Sequence, residues 1–405
     1  MKYTLKKLNI NNLEIHEENK LSPRSYFIPY KSRKRLEKTD SLNRRYKSDT
    51  VQVLSGKWDF CHLEKISNLP SVLDTDEMSF DRIDVPSTWQ RTGYEPPKYI
   101  NTRYEYPMTL PNVPEEMSAG IYRKKFTLSD ECVNPIITFL GVCSSLTLYV
   151  NGKYVGYSEG SHNSAEFELK DYVCDGENEL VAIVTRWCNG SYLECQDMFR
   201  EKGIFRDVYI TENPAEYVYD YQVNTEKVDN GYILSVDFDL RGSFAGKNVA
   251  VELLYNGKVV GKVQAAAKAD LAVALAPLDV KEWNAEKPEL YTLYITLSDN
   301  DKDIQVIRGN VGFRTVKIEG EKFLFNDKLI KFKGVNHHDT HHLNGYVMTA
   351  QELLKDVLLM KEFNCNAVRT SHYPQSKHFL SACDKLGLLV LELTIIDIVT
   401  FKLSI

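Results

Sequence analysis

"TAQELLKDVLLMKEFNCNAVRTSH", residues 349–372, contains the change of period that decides the architecture. Leu353, Leu354, Val357 and Leu358 recur at helical spacing and share one helix face. Thr349, followed three residues later by Glu352, forms a capping box that sets the helix start. Behind the helix, "CNAVRTSH" is short and bounded by polar residues, as a buried strand is. The same alternation extends to both sides. "LIKFKGVN" (329–336) reads as a preceding strand, and "QSKHFLSACDKLG" (375–387) as a second helix stopped by Gly387. "LLVLEL" (388–393) reads as a third strand. Strand and helix alternating through short loops predict a parallel α/β layout, the opening of a (β/α)8 TIM barrel or of a doubly wound sheet.

Upstream the period is that of strands. Between about 51 and 212, "GIYRKKFTL", "SLTLYVNGKYVGYS" and "ELVAIVTRW" alternate or run apolar, with the hairpin dipeptide Asn151-Gly152 between two of the runs. This predicts an all-β sandwich. From about 216 to 317, "YILSVDFDL", "NVAVELLYNGKVVGKVQ" and "LYTLYITL" predict a second sandwich of immunoglobulin-like type, with Asn256-Gly257 as another hairpin. "QAAAKADLAVALA" (264–276) favours helix by propensity, but its neighbours are strands, so we read it as β. Residues 1–50, with the basic run "YKSRKRLEKTDSLNRRYKSD", read as an extended surface arm.

Composition narrows the function classes. The chain has 405 residues, with 43% hydrophobic, 26% charged and net charge −6, which gives no electrostatic reason to expect nucleic acid. No apolar run is long enough to span a membrane, and the first residues lack the apolar core of a signal peptide. Eight scattered cysteines without a C-x-x-C pair read as the reduced thiols of a cytoplasmic protein.

Three stretches carry candidate chemistry. "KGVNHHDTHHLNG" (333–345) holds His337, His338, His341 and His342. Two i,i+4 pairs invite a zinc reading, but the stretch follows a strand and carries turn residues. The other reading is positional. His338 and His372 each follow a strand, at the barrel face where active sites form, and there they can donate hydrogen bonds to substrate hydroxyls or to a developing oxyanion. In "RWCNGSYLECQDMFREKGIFRDV" (186–208), Glu194, Asp197, Arg200 and Arg206 sit among Trp187, Tyr192 and Phe199. That is either a sugar or hard-cation site or a loop bracing two domains with ion pairs. "VPSTWQRTGYEPPKYINTRYEYP" (85–107) is an aromatic loop that packs or binds a ring.

Taken in order, "PSTWQRTGY…YINTRYEYP", "AGIYRKKF", "NGKYVGYSEGSHNSAEFEL", "RWCNGSYLECQDMFREKGIFRDV", "FKGVNHHDTHH" and "NAVRTSHYP" resemble the β-galactosidases of glycoside hydrolase family 2. The resemblance runs from about residue 20 to 391. It implies an N-terminal arm (1–50), a galactose-binding-like jelly roll (51–215), an immunoglobulin-like sandwich (216–317) and an incomplete TIM barrel (318–405). It also implies that Asn101 contacts the galactosyl ring and that Asp197 binds its hydroxyls and a Na+ ion. His338 and His372, 34 residues apart, would stabilise the transition state. The implied reaction is hydrolysis of a terminal β-D-galactoside such as lactose, with retention, in carbohydrate catabolism. It needs two carboxyl groups roughly 5 Å apart. By the same resemblance both catalytic glutamates, and the ligands of the family's Mg2+ site, lie beyond the third barrel strand and so outside this chain. Residues after about 391, "ELTIIDIVTFKLSI" among them, do not follow the family pattern, as a truncated or frame-shifted product would not. The expected partners are a β-galactoside and either a second copy or a complementing chain, with the chain alone inactive. A non-catalytic galactoside-binding fragment is the alternative.

Overall fold

A computed structural model describes residues 1–40, 42–101 and 103–392. The first layered unit is an antiparallel sandwich. Its larger sheet has seven strands, with Ser145–Val150, Glu177–Thr185 and Ala119–Thr127 at the centre. Its smaller sheet pairs Ala165–Glu168, Asn134–Phe139, Val208–Asn213 and Val51–Val53. Trp58, Phe60, Trp89, Phe139, Leu148 and Phe167 fill the space between them. The Asn151-Gly152 hairpin forms as predicted, with φ of 49° and 81°. Both residues are left-handed, which a type I′ turn requires.

The N-terminal residues are not the surface arm expected from their charge. Lys2–Thr4 pairs with Val72–Asp74, and Tyr3 packs on Tyr149, Val181 and Ile183. Arg33–Glu37 and Arg44–Lys47 form short helices. The Arg45 guanidinium is buried against Asp207. The central strands are apolar on both faces, so the outer face needs a cover, and the tyrosines and leucines spaced among the basic residues provide it.

The second unit is an immunoglobulin-like sandwich of three and four strands. Gly231–Arg241 alternates buried and half-exposed residues almost without a break, with Leu234, Val236 and Leu240 pointing inward. The ambiguous alanine-rich stretch lies in Lys258–Ala266 and Asp270–Leu278, both strands. Leu271, Val273 and Leu275 alternate into the core there, so burial overrides helix propensity.

Two short strands prepare the site: β1 (Tyr99–Ile100) and β2 (Met198–Phe199) pair antiparallel. The last unit contains β3 (Gly334–His337), α1 (Ala350–Glu362), β4 (Ala367–Thr370), α2 (Lys377–Leu386) and β5 (Leu389–Leu391). The strands are parallel in the order β3-β4-β5, with His337 opposite Thr370 and Val368 opposite Val390. Leu353, Val357, Val368, Phe379 and Cys383 form the core beneath them. The capping box at Thr349 and Glu352 is complete, and Gly387 closes α2 at φ 80°.

Two expectations need correction here. The strand read from 329 begins at Gly334, because Lys328–Leu329 belongs to an antiparallel hairpin with Lys322–Phe325. Leu358, assigned to the buried face of α1, is half exposed, and Met360 joins Leu353 and Val357 instead. Beside Leu358, Leu359 and Phe363 are also exposed, as is Val335 on the edge strand β3. The third-strand residues after 392 lie outside the described chain.

Candidate active site

The β1–β2 ladder pairs Ile100 with Met198 and Tyr99 with Phe199. Asn101 and Asp197 are the next residues beyond the Ile100–Met198 pair, so the ribbon delivers both to one end. The Tyr99 and Phe199 rings meet edge to face at 5.3 Å. The Tyr99 hydroxyl donates to Asp197 Oδ1. Asp197 and Asn101 are both exposed.

His338 follows β3, and His372 stands two residues after β4. The parallel register brings them to one level, and their rings meet at 5.5 Å and 82°. Burial lowers the pKa of His338, with help from the neighbouring His372 and His337. Burial and then Arg369 lower that of His372. In both cases the charge of Asp197 acts the other way, which places that carboxylate within electrostatic reach of both rings. At neutral pH the imidazoles are neutral, each with one donor and one acceptor. The site is therefore a polar face of two imidazoles and one carboxylate, with the Asn101 amide on the same ribbon. Such groups suit hydroxyls on neighbouring carbons.

The remaining histidines are occupied elsewhere. His337 lies flat on Phe379 at 4.3 Å, bonded to Gln375 and Asp356 at 3.0 Å each. His341 pairs with Glu352 at 3.2 Å, and His342 is exposed against it. The i,i+4 pairs do not share a helix face, because the segment between β3 and α1 is loop.

The 186–208 stretch divides between its two readings. Glu194 is held by the Ser161 N–H and hydroxyl at 2.6 Å each. Glu201 takes Arg91 at 2.7 Å and the Tyr346 N–H at 3.0 Å. Arg206 reaches Asp339 at 3.1 Å and the Pro374 carbonyl at 2.9 Å. The Glu194 contacts tie the sandwich to itself and those of Glu201 and Arg206 brace it to the barrel, whereas Asp197 alone among the acids of this stretch faces outward. A carboxylate oxygen suits Na+, but no group of three or more His, Cys, Asp or Glu side chains able to hold a metal occurs among the described residues. Sequence reasoning missed Tyr99 and Tyr373. Both stood within quoted motifs, two residues before Asn101 and one after His372, but nothing in their spacing distinguished them from packing aromatics.

Three family models match in succession. "Glycosyl hydrolases family 2, sugar binding domain" matches residues 51–214, "Glycosyl hydrolases family 2" matches 216–314, and "Glycosyl hydrolases family 2, TIM barrel domain" matches 316–404. The chain belongs to glycoside hydrolase family 2. Among its family 2 relatives, the beta-galactosidase of Actinobacillus pleuropneumoniae is 37% identical over 385 residues, 94% of this chain and 36% of that protein. That of Staphylococcus xylosus is 36% identical, covering 94% and 37%. The chain thus spans little more than a third of the length of these relatives. A Bifidobacterium dentium beta-glucuronidase structure shares the fold at TM-score 0.70 and 22% identity, over 86% of this chain and 62% of that one. The jelly-roll sandwich, the immunoglobulin-like sandwich and the partial TIM barrel are the family 2 architecture. The barrel match continues to residue 404, against the expectation that kinship ends near 391.

Proposed function

We propose that this chain forms the galactose-binding wall of a family 2 β-galactosidase that acts on terminal β-D-galactosides such as lactose, with retention, in the cytoplasm. The observation carrying this reading is the convergence of Asp197, tethered by Tyr99, on the His338–His372 pair. Asp197 and Asn101 accept and donate hydrogen bonds at the sugar hydroxyls, and Asp197 contributes one ligand to a Na+ ion. His338 and His372 donate to oxygens that gain charge in the transition state. The acid and the nucleophile are supplied by barrel residues outside this chain, as are the ligands of a Mg2+ ion. By itself the chain then binds galactosides without turning them over.

The exposed apolar residues of β3 and α1 support a further part of this reading, that a complementing barrel segment, in a second copy or another chain, covers that edge. The test pairs binding with turnover. Purified chain is expected to bind isopropyl thiogalactoside in calorimetry and to leave a chromogenic β-galactoside intact. Clear turnover by the pure chain refutes the division of labour. Failure to bind, or equal binding by Asp197→Asn, refutes the sugar-binding wall.

A further inference from the structure

Lys202 is only 3% exposed, yet among the described residues its side-chain nitrogen bonds to no carboxylate. Its two contacts are the Ser144 hydroxyl at 3.1 Å and the Cys143 sulfur at 3.6 Å. A buried amino group is costly unless it is paired, so the identity of its partner matters. Burial acts against the charge of Lys202, Cys143 leads the groups that raise its pKa, and the net shift is upward. Lysine and sulfur are therefore electrostatic partners as well as neighbours.

The backbone holds the two together. Val142–Cys143 and Gly203–Ile204 pair antiparallel, with Cys143 opposite Gly203, and Lys202 directly precedes that glycine. Cys143 packs among Met198, Phe205, Tyr346 and Tyr373, which seats the thiol in a close-packed cluster. A cavity of about 20 Å³ adjoins the pair, lined by Cys143, Ser144 and Lys202 among others. That is room for one molecule of water size. Cys143 itself keeps 7% of its surface exposed. A small oxidant can meet the sulfur here, with the lysine nitrogen already beside it.

We propose that Cys143 and Lys202 form an oxidative modification site, at which hydrogen peroxide joins them through a sulfur–nitrogen bond. The Cys143 sulfur first attacks peroxide. An S–O bond forms, the O–O bond breaks, and the departing hydroxide leaves as water with the thiol proton, giving a sulfenic acid. The Lys202 nitrogen then attacks that sulfur. The S–N bond forms, the S–O bond breaks, and a second water leaves with a proton from the nitrogen. Sulfur loses two electrons and peroxide gains two. Amine with thiol and ammonium with thiolate differ only in the place of one proton, so both start the sequence with the same balance.

Peroxide treatment of the full chain, quenched with catalase and followed by tryptic mapping in a mass spectrometer, tests the site. The peptides bearing Cys143 and Lys202 are expected as one species, lighter than their sum by two hydrogen atoms. Cleavage after Lys202 is expected to be lost, and dithiothreitol to restore it. Lys202→Arg is expected to abolish the link and leave a sulfenic acid at Cys143 that dimedone traps. The parent chain unfolded in guanidinium chloride is expected to give no link, because the 3.6 Å contact is gone, and this arm decides the question if the arginine variant fails to fold. Three results overturn the proposal: Cys143 left unmodified, Cys143 ending as a disulfide with Cys195 or as a sulfinic acid while Lys202 stays free, or the link forming equally well in the unfolded chain.

Discussion

The Tyr99 phenol donates to Asp197 Oδ1 across the β1–β2 ribbon, so a side chain from one loop fixes the carboxylate of another. Asp197 is exposed, and among the described residues no other hydrogen bond reaches its carboxylate, so the tyrosine sets its direction. Tyr99→Phe keeps the ring contact with Phe199 and removes only the donor. We expect isopropyl thiogalactoside affinity to fall by about three- to tenfold, the worth of one hydrogen bond, with no change in melting temperature. Unchanged affinity would show that Asp197 needs no tether.

The two site histidines report on each other. His372 is one of the groups that lower the pKa of His338. Replacing it by phenylalanine removes that repulsion while keeping a ring in place. The His338 pKa, followed by NMR, should then rise, but stay below the ordinary histidine value because burial remains. An unmoved titration would mean that the rings do not face each other in solution.

Arg206 is expected to matter far more than a surface pair of similar geometry. It bonds Asp339, the Pro374 carbonyl and the His162 carbonyl, and both it and Asp339 are largely buried. Arg206→Ala strands a buried carboxylate and should cost about 3–5 kcal/mol. Lys57→Ala breaks the Lys57–Asp84 pair, 2.8 Å long but well exposed at both ends, and should cost about 1 kcal/mol or less. Denaturant melts of the two variants decide the comparison.

Acid sensitivity has a named source in His378. Burial, and then the charge of Arg45, push its pKa down to about 4. The unfolded chain takes up this proton near pH 6.5, the folded chain only near 4, so stability falls as pH drops through that window. The full loss is about 3 kcal/mol. Asp384 opposes it, since burial raises its carboxyl to about 6 and acid relieves that strain. The measurement is therefore a difference: His378→Gln should flatten the stability profile between pH 6.5 and 4 relative to the parent, and parallel profiles would exclude His378.

Much of this was legible in the sequence, for identifiable reasons. The capping box, the two Asn-Gly hairpins and Gly387 are local signals, and each formed where read. The 34-residue separation of His338 and His372 is a strand-to-strand distance in a parallel unit, so their meeting followed from topology. What could not be read depended on distant partners. Charge made residues 1–50 look solvated, but Tyr3 and Arg45 bury against strands more than a hundred residues away. His337 and His338 are adjacent and chemically identical, and only the pleat of β3 sends one to Phe379 and the other to His372.

His162 of the sandwich stacks on Tyr373 at 3.9 Å, and the same tyrosine lies 5.9 Å from His338. The strand-end histidine is thus backed by a ring that rests on another domain. A barrel that folds before the sandwich docks has its histidines but no firm seat for them. Correct docking is in this way a condition for seating the His338–His372 pair, whatever that pair goes on to bind.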